Sequence, residues 1–166
     1  MTDELERLRV AQWILERQIG WIATADVKIG AIVAIQTAMA GVLAAAFSAA
    51  THRSEWAIIC TVTAFVCTIG AFICSALGLL PRTVGPDRSL IFFGKICDLR
   101  RSDYTAALRA VTDTQMLDDC ADQIHRNAEV ACEKHGWVKG AMIWGFLGVL
   151  PWVIALLQLV PLQVSL

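Results

Sequence analysis

Three uncharged apolar stretches constrain this chain more than any other feature of its sequence. Residues 29–50, 56–80 and 140–166 contain no Asp, Glu, Lys, Arg or His. Each stretch exceeds the roughly 20 residues that an α-helix needs to cross the hydrocarbon core of a bilayer. The sequence therefore predicts an all-α integral membrane protein, with a transmembrane hairpin over 29–80 and a third transmembrane helix over 140–166 that ends in a short external tail.

The distribution of Lys and Arg predicts how these three helices are oriented. Residues 1–28 carry four of these side chains, the turn 51–55 carries one, and the block 81–139 carries nine. Positively charged segments are retained on the cytoplasmic side of a membrane. We therefore expect the N-terminus and the block 81–139 inside the cell and the C-terminus outside.

The block 81–139 is expected to be helical but too small to fold stably alone, because a lone core below roughly 70 residues is marginal. It should pack on the amphipathic helix predicted over 1–28, on the membrane surface or on a second copy, which makes a homo-oligomer the expected state. Its nine basic residues are balanced by nine acidic ones, and the net charge of the chain is −1. Nucleic acid is therefore not an expected partner.

Small side chains form a stripe along the second span, at alternating spacings of four and three residues: Cys60, Ala64, Cys67, Ala71, Cys74 and Gly78. The first span carries a similar face: Gly30, Ala34, Ala38, Gly41 and Ala45. Because small residues let helix backbones approach closely, we expect the two faces to pack as a hairpin. The alternative is a polar path in an oligomer, lined by Gln36, Thr37, Thr61, Thr68 and Ser75.

The segments outside the spans carry three local helix signals. The run from Thr112 to Gln115 resembles a capping box at the start of a long helix. Ser102 is expected to cap a helix over 103–111. The N-terminal helix places one polar residue, Gln12, on a heptad stripe of apolar side chains: Leu5, Leu8, Leu15, Ile19 and Ile22.

No catalytic motif and no complete metal-binding set occurs in the sequence. We interpret Asp118, Asp119 and Asp122 as a solvated helix face, and no C-x-x-C pair completes a zinc set with His125 or His135. A G-x-S-x-G elbow, a Walker loop and an H-E-x-x-H motif are all missing from the sequence. We therefore expect no enzymatic activity, no metal and no cofactor.

Asp26 and Lys28 lie at the cytoplasmic mouth of the first span. Because they are two residues apart on a helix, they face different directions and do not pair with each other. In one interpretation Lys28 anchors the helix at the membrane interface and Asp26 is solvated. In the other, both bond to the block 81–139 and hold the membrane segment closed.

Several short motifs follow one another in a distinctive order: Ala25-Asp26-Val27-Lys28, Pro81-Arg82, Phe92-Phe93-Gly94, Tyr104, Gln123-Ile124-His125 with Asn127, and Lys134. In this combination the chain resembles the small transmembrane effectors of Pycsar, the bacterial anti-phage system built on a pyrimidine cyclase. The resemblance implies a protein of the cell inner membrane that responds to cyclic UMP or cyclic CMP made after infection. It further implies that the response impairs the membrane and causes abortive infection.

A nucleotide that binds this chain must use a helical site, because the block 81–139 is too small for the usual cyclic-nucleotide-binding β-barrel. We expect that site to lie between subunits. The candidate ligands are four cations for the phosphate and one aromatic residue for the base: Arg82, Lys95, Arg100, Arg101 and Tyr104. Taken singly, each cation is better explained as a solvated or membrane-orienting charge. The competing functions are a non-conducting membrane scaffold that docks a cytoplasmic partner through 81–139, and a transporter subunit, which the lack of charge within the spans disfavours.

Overall fold

The computed structural model describes residues 2–160, of which Thr2 only by its backbone, and the predicted tail at 161–166 lies outside the described residues. Within this range the chain forms five α-helices: α1 Thr2–Ala49, α2 Glu55–Leu79, α3 Phe93–Asp98, α4 Arg101–Ala110 and α5 Asp113–Leu159. The described range contains no strand, and α1, α2 and α5 are long and apolar enough to cross a membrane. The predicted all-α fold with three membrane-spanning helices is confirmed.

Helices α1 and α5, of 48 and 47 residues, are each more than twice as long as a helix that only crosses the hydrocarbon. Both contribute to each of two compact units. We call residues 26–80 and 135–160 the membrane unit, and residues 2–25 and 81–134 the charged unit.

The membrane unit is a bundle of α2 with the later parts of α1 and α5. Helix α2 begins after Ser54, whose hydroxyl caps the helix by accepting a hydrogen bond from Ala57 N at 3.0 Å. The same hydroxyl donates to Gln158 Oε1 at 2.6 Å, and Trp152 Nε1 donates to the Met39 carbonyl at 2.8 Å. The core cluster is formed by Leu43, Ala57, Ala64, Ala155 and Leu159. The opposite side of α2 exposes β-branched residues suited to lipid: Val62, Val66, Ile69 and Ile73.

The small-residue stripe of α2 faces α5. A Cβ added at Gly148 would lie 3.0 Å from the Cβ of Cys67, and one at Gly140 would lie 3.2 Å from the Sγ of Cys74. Glycine at these two positions lets the α5 backbone approach α2 closely. The predicted partner of this stripe was the small-residue face of α1, whereas the close approaches at Cys67 and Cys74 are made by α5. At Gly78 an added Cβ would meet both Ile29 of α1 and Trp137 of α5.

The small-residue face of α1 does not pack against α2. A Cβ added at Gly30 or Gly41 would meet no atom within 4 Å. Helix α1 instead buries Ile29, Gln36 and Leu43, which recur every seven residues. The prediction for this face is therefore wrong within the described chain, because larger side chains on a neighbouring face of α1 fill the core.

The charged unit holds the irregular segment between α2 and α3 against α5. Arg82 forms a bidentate ion pair with Glu133, through Nε at 2.8 Å and Nη2 at 2.7 Å. Arg126 Nε donates to the Val84 carbonyl at 2.9 Å. Charge-assisted contacts of this kind fix a segment that has no secondary structure of its own.

Two local predictions for the charged unit are wrong. Helix α4 begins at Arg101 with Arg100 as an N-cap that makes no side-chain bond, and Ser102 donates to the neighbouring Asp103 carboxylate instead of capping the helix. On α1, Gln12 is exposed and the buried polar position belongs to Gln18. The buried residues Ala11, Gln18 and Ala25 recur every seven residues. The buried face of α1 is therefore a different face from the apolar stripe that the sequence predicts.

A candidate ligand pocket in the charged unit

The charged unit contains a cavity of about 410 Å³, within the roughly 300–1,000 Å³ range typical of small-ligand sites. We call it the α4–α5 pocket, and its lining residues are Arg88, Leu90, Ala107, Ala110, Val111, Gln115 and Asp119. They come from the loop before α3, the end of α4 and the start of α5. Polar groups thus meet an apolar wall of four small or aliphatic side chains.

Arg88 has a backbone conformation that is rare for its residue type. Its φ of 61° lies in the left-handed region, and it is the only non-glycine residue among those described with a positive φ. Such a conformation costs roughly 1–3 kcal/mol and is maintained only where surrounding contacts impose it. The loop around Arg88 must therefore be held from outside.

Residues next to Arg88 provide these contacts. The buried Ser89 hydroxyl accepts hydrogen bonds from Ile91 N at 3.1 Å and Phe92 N at 2.9 Å. Leu90 N donates to Asp119 Oδ2 on α5 at 2.7 Å, and the Leu90 carbonyl accepts from the Tyr104 hydroxyl on α4 at 3.3 Å. The loop is thereby tied to both helices that line the pocket.

The first turn of α5 closes one side of the pocket through a capping box, as predicted. Thr112 N donates to Gln115 Oε1 at 3.0 Å, and Gln115 N donates to Thr112 Oγ1 at 3.3 Å. Because Oε1 is the atom used in the cap, the Gln115 side chain keeps its amide N–H groups as donors. The N-terminal end of a helix also carries a partial positive charge.

The electrostatics of the pocket suit a ligand that carries an anion and a hydrogen-bond donor. The Arg88 guanidinium makes no ion pair and no hydrogen bond with the part of the chain that the structure describes. Asp119 supplies a carboxylate, which can only accept hydrogen bonds when ionised.

Burial and, secondarily, the Asp119 charge raise the pKa of the neighbouring Cys120 thiol. Cys120 is therefore a protonated, weakly reactive thiol and not a nucleophile.

None of the residues predicted from sequence to bind a ligand lines the pocket. Arg82 pairs with Glu133, and Lys95 Nζ lies 3.2 Å from Asp87 Oδ1. Arg100 and Arg101 are exposed at the start of α4. Tyr104 contacts the pocket loop through the Leu90 carbonyl. Arg88 was missed because a left-handed arginine in a loop has no sequence signature.

Among the described residues no group of three His, Cys, Asp or Glu side chains is arranged to hold a metal ion.

A second cavity, of about 420 Å³, lies in the membrane unit between α1 and α5. Its lining is mostly apolar and includes Lys28 and Gln36. The buried Gln36 accepts a hydrogen bond from Thr68 at 3.2 Å, and its Nε2 lies 2.8 Å from the point that a Cβ at Gly145 would occupy. Asp26 is half-buried on α1, and the gating contacts predicted for Asp26 and Lys28 stay a prediction.

Comparison with known proteins gives two matches over most of the chain. Residues 10–160 match the family described as the Pycsar effector protein domain. The chain is also similar to the Pycsar effector protein PtPycTM of Propioniciclava tarda, with 27% identity over 139 residues that cover 78% of this chain and 68% of the relative. No solved structure matches the chain significantly.

Proposed function

Because the chain belongs to the Pycsar effector protein family, we propose that it senses cyclic UMP or cyclic CMP directly and then impairs the inner membrane, which causes abortive infection. Family membership makes it an anti-phage defence effector and confirms the resemblance found in its sequence. Its three membrane-spanning helices make it a multi-pass membrane protein.

The observation that carries this proposal is the sharing of α5 between the pocket and the membrane core. Helix α5 supplies Gln115 and Asp119 to the α4–α5 pocket and Ala155 and Leu159 to the core cluster of the membrane unit. A ligand that favours one arrangement of the first turns of α5 therefore acts on the helix that also crosses the membrane. Such a ligand changes the state of the membrane segment only if it binds that state more tightly.

Buried hydroxyl groups on α2 support a membrane segment that can open. Thr61, Thr68 and Ser75 recur every seven residues, and all three are buried. Thr68 bonds to Gln36, whereas the hydroxyl oxygens of Thr61 and Ser75 have no hydrogen-bond partner among the described residues. Unpaired hydroxyls in an apolar core are costly and gain solvation when helices separate. In the open state this column lines a hydrated path.

The charged residues singled out in the sequence have supporting roles in the proposal. Arg100 and Arg101, both exposed, attract the anionic nucleotide toward the block by long-range electrostatics. Arg82 and Lys95 fix the pocket loop through their ion pairs. Lys28 and Asp26 hold the mouth of the first span closed at rest.

In the proposed topology the N-terminus and the block 81–139 are cytoplasmic, and the protein acts as a homo-oligomer.

The proposal is tested in cells that lack a pyrimidine cyclase. The chain is expressed with an active or an inactivated cyclase for each pyrimidine nucleotide, and a potential-sensitive dye follows the inner membrane. We expect depolarisation only with the active enzyme. Equal depolarisation with the inactivated cyclase would rule out nucleotide gating. No depolarisation with either active cyclase would favour the non-conducting scaffold.

A further inference from the structure

The α4–α5 pocket contains a guanidinium that the fold does not use. Arg88 is exposed, and its charge has no partner in the described chain, although its backbone is held in the left-handed region. Two neighbours of Arg88, Asp87 and Ser89, are by contrast engaged in contacts within the charged unit. An unpaired cation that lines a pocket beside the N-terminal turn of a helix matches an anion such as a phosphate diester.

Asp119 adds a second requirement to the ligand. Its Oδ2 accepts the Leu90 N–H, and no other hydrogen bond to this carboxylate is made within the described residues. The remaining lone pairs of the carboxylate can accept a hydrogen bond from a donor group of a ligand, and the negative charge of Asp119 would repel an anionic group placed directly against it. A ribose hydroxyl is such a donor, and carboxylates commonly bind ribose hydroxyls in nucleotide sites.

The wall of the pocket offers an apolar surface for a base. Leu90, Ala107, Ala110 and Val111 offer a small apolar surface without an aromatic ring. A single-ring base fits against this surface by apolar contact, and a phosphate and a ribose then reach the polar side. Gln115 stands on that side with its N–H groups available.

On these grounds we infer that the α4–α5 pocket is the nucleotide site, where Arg88 binds the cyclic phosphate and Asp119 accepts a hydrogen bond from the ribose 2′-hydroxyl. The inference rests on the proposed function, since it assigns residues to the sensing step. The bound ligand connects the loop before α3 to the start of α5. Because Asp119 accepts a hydrogen bond from the 2′-hydroxyl, the site selects a cyclic ribonucleotide over its 2′-deoxy analogue.

Two substitutions separate binding from folding. Arg88→Gly removes the cation at a position where the left-handed φ of 61° is unfavourable for arginine and freely accessible to glycine. The fold of this variant is therefore at least as stable as the parent. Asp119→Asn keeps an oxygen for Leu90 N but removes the charge. Arg109→Ala is the matched control, because it removes one exposed cation from α4 that does not line the pocket.

The test is isothermal titration calorimetry, which measures the affinity of the full chain in lipid nanodiscs for cyclic UMP, cyclic CMP and their 2′-deoxy analogues. We expect Arg88→Gly to weaken binding by about tenfold or more, because it removes a charge-assisted contact, and Arg109→Ala to bind like the parent. The parent should prefer the ribonucleotide over the deoxy analogue, and Asp119→Asn should lose most of that preference. Thermal unfolding of each variant checks that its fold is intact.

The outcomes distinguish this site from the sensing proposal. Binding by the parent that Arg88→Gly leaves unchanged would place the site elsewhere and overturn the inference, while direct sensing stands. An unchanged ribose preference in Asp119→Asn would overturn the role of Asp119. Failure of the parent to bind either nucleotide would overturn both the inference and direct sensing.

Discussion

Gly148 lies where the α5 backbone approaches α2 closely, since an added Cβ would be 3.0 Å from the Cβ of Cys67. We predict that Gly148→Leu destabilises the membrane unit by about 1–3 kcal/mol, because the new side chain has no space between the helices. Gly136 on the same helix is the control, because an added Cβ there meets no atom within 4 Å. The measurement is the unfolding midpoint in detergent micelles. Equal midpoints for Gly148→Leu and Gly136→Leu would contradict the close packing.

Cys120 of the charged unit has a thiol whose pKa is raised above its ordinary value. Burial and the Asp119 charge raise the pKa of its thiol, whereas Cys97 and Cys132 are exposed. Since only the thiolate reacts, we predict that iodoacetamide at pH 8 labels Cys120 last of the three, and that its labelling needs a higher pH. Mass spectrometry of the labelled peptides measures this order. Labelling of Cys120 as fast as Cys97 would show that the thiol is accessible and ionised.

Among the helices, α5 has the most clearly specified start. Its capping box joins Thr112 and Gln115, so we predict that Thr112→Ala costs about 1 kcal/mol and raises hydrogen exchange in the first turn of α5 about fivefold. Thr114 lies one residue inside the helix and is exposed, which makes Thr114→Ala the control with unchanged or slower exchange. Similar exchange rates in the two variants would mean that the cap does not stabilise this turn.

The sequence predicts where helices form better than it predicts which helices pack against each other. Uncharged runs identify all three spans, because burial of charge in hydrocarbon is so costly. The small residues of α1 gave a wrong partner, because periodicity defines a face without indicating what covers it. The capping box of Thr112 was predictable because both partners lie within four residues. Arg88 was not, since its φ depends on the bonds that the nearby Leu90 makes with Asp119 and Tyr104, which are distant along the chain.

For the molecule as a whole, the distribution of positive charge predicts a testable topology. The turn 51–55 should face outward, and the block 81–139 should face the cytoplasm. We predict that a membrane-impermeant maleimide labels His52→Cys in intact cells and labels the exposed native Cys97 only after permeabilisation. Labelling of Cys97 in intact cells would reverse the orientation and place the pocket away from cytoplasmic nucleotides.

Nucleotide-triggered loss of the membrane barrier is tested most directly with the purified full chain in liposomes that hold a potassium diffusion potential. We predict that cyclic UMP or cyclic CMP dissipates the potential, that cyclic AMP does not, and that Arg88→Gly requires about tenfold more nucleotide or more. A potential-sensitive dye gives the readout, and nucleotide binding is measured on the same preparation. A potential that persists while the nucleotide is bound would contradict the effector mechanism and indicate a non-conducting scaffold.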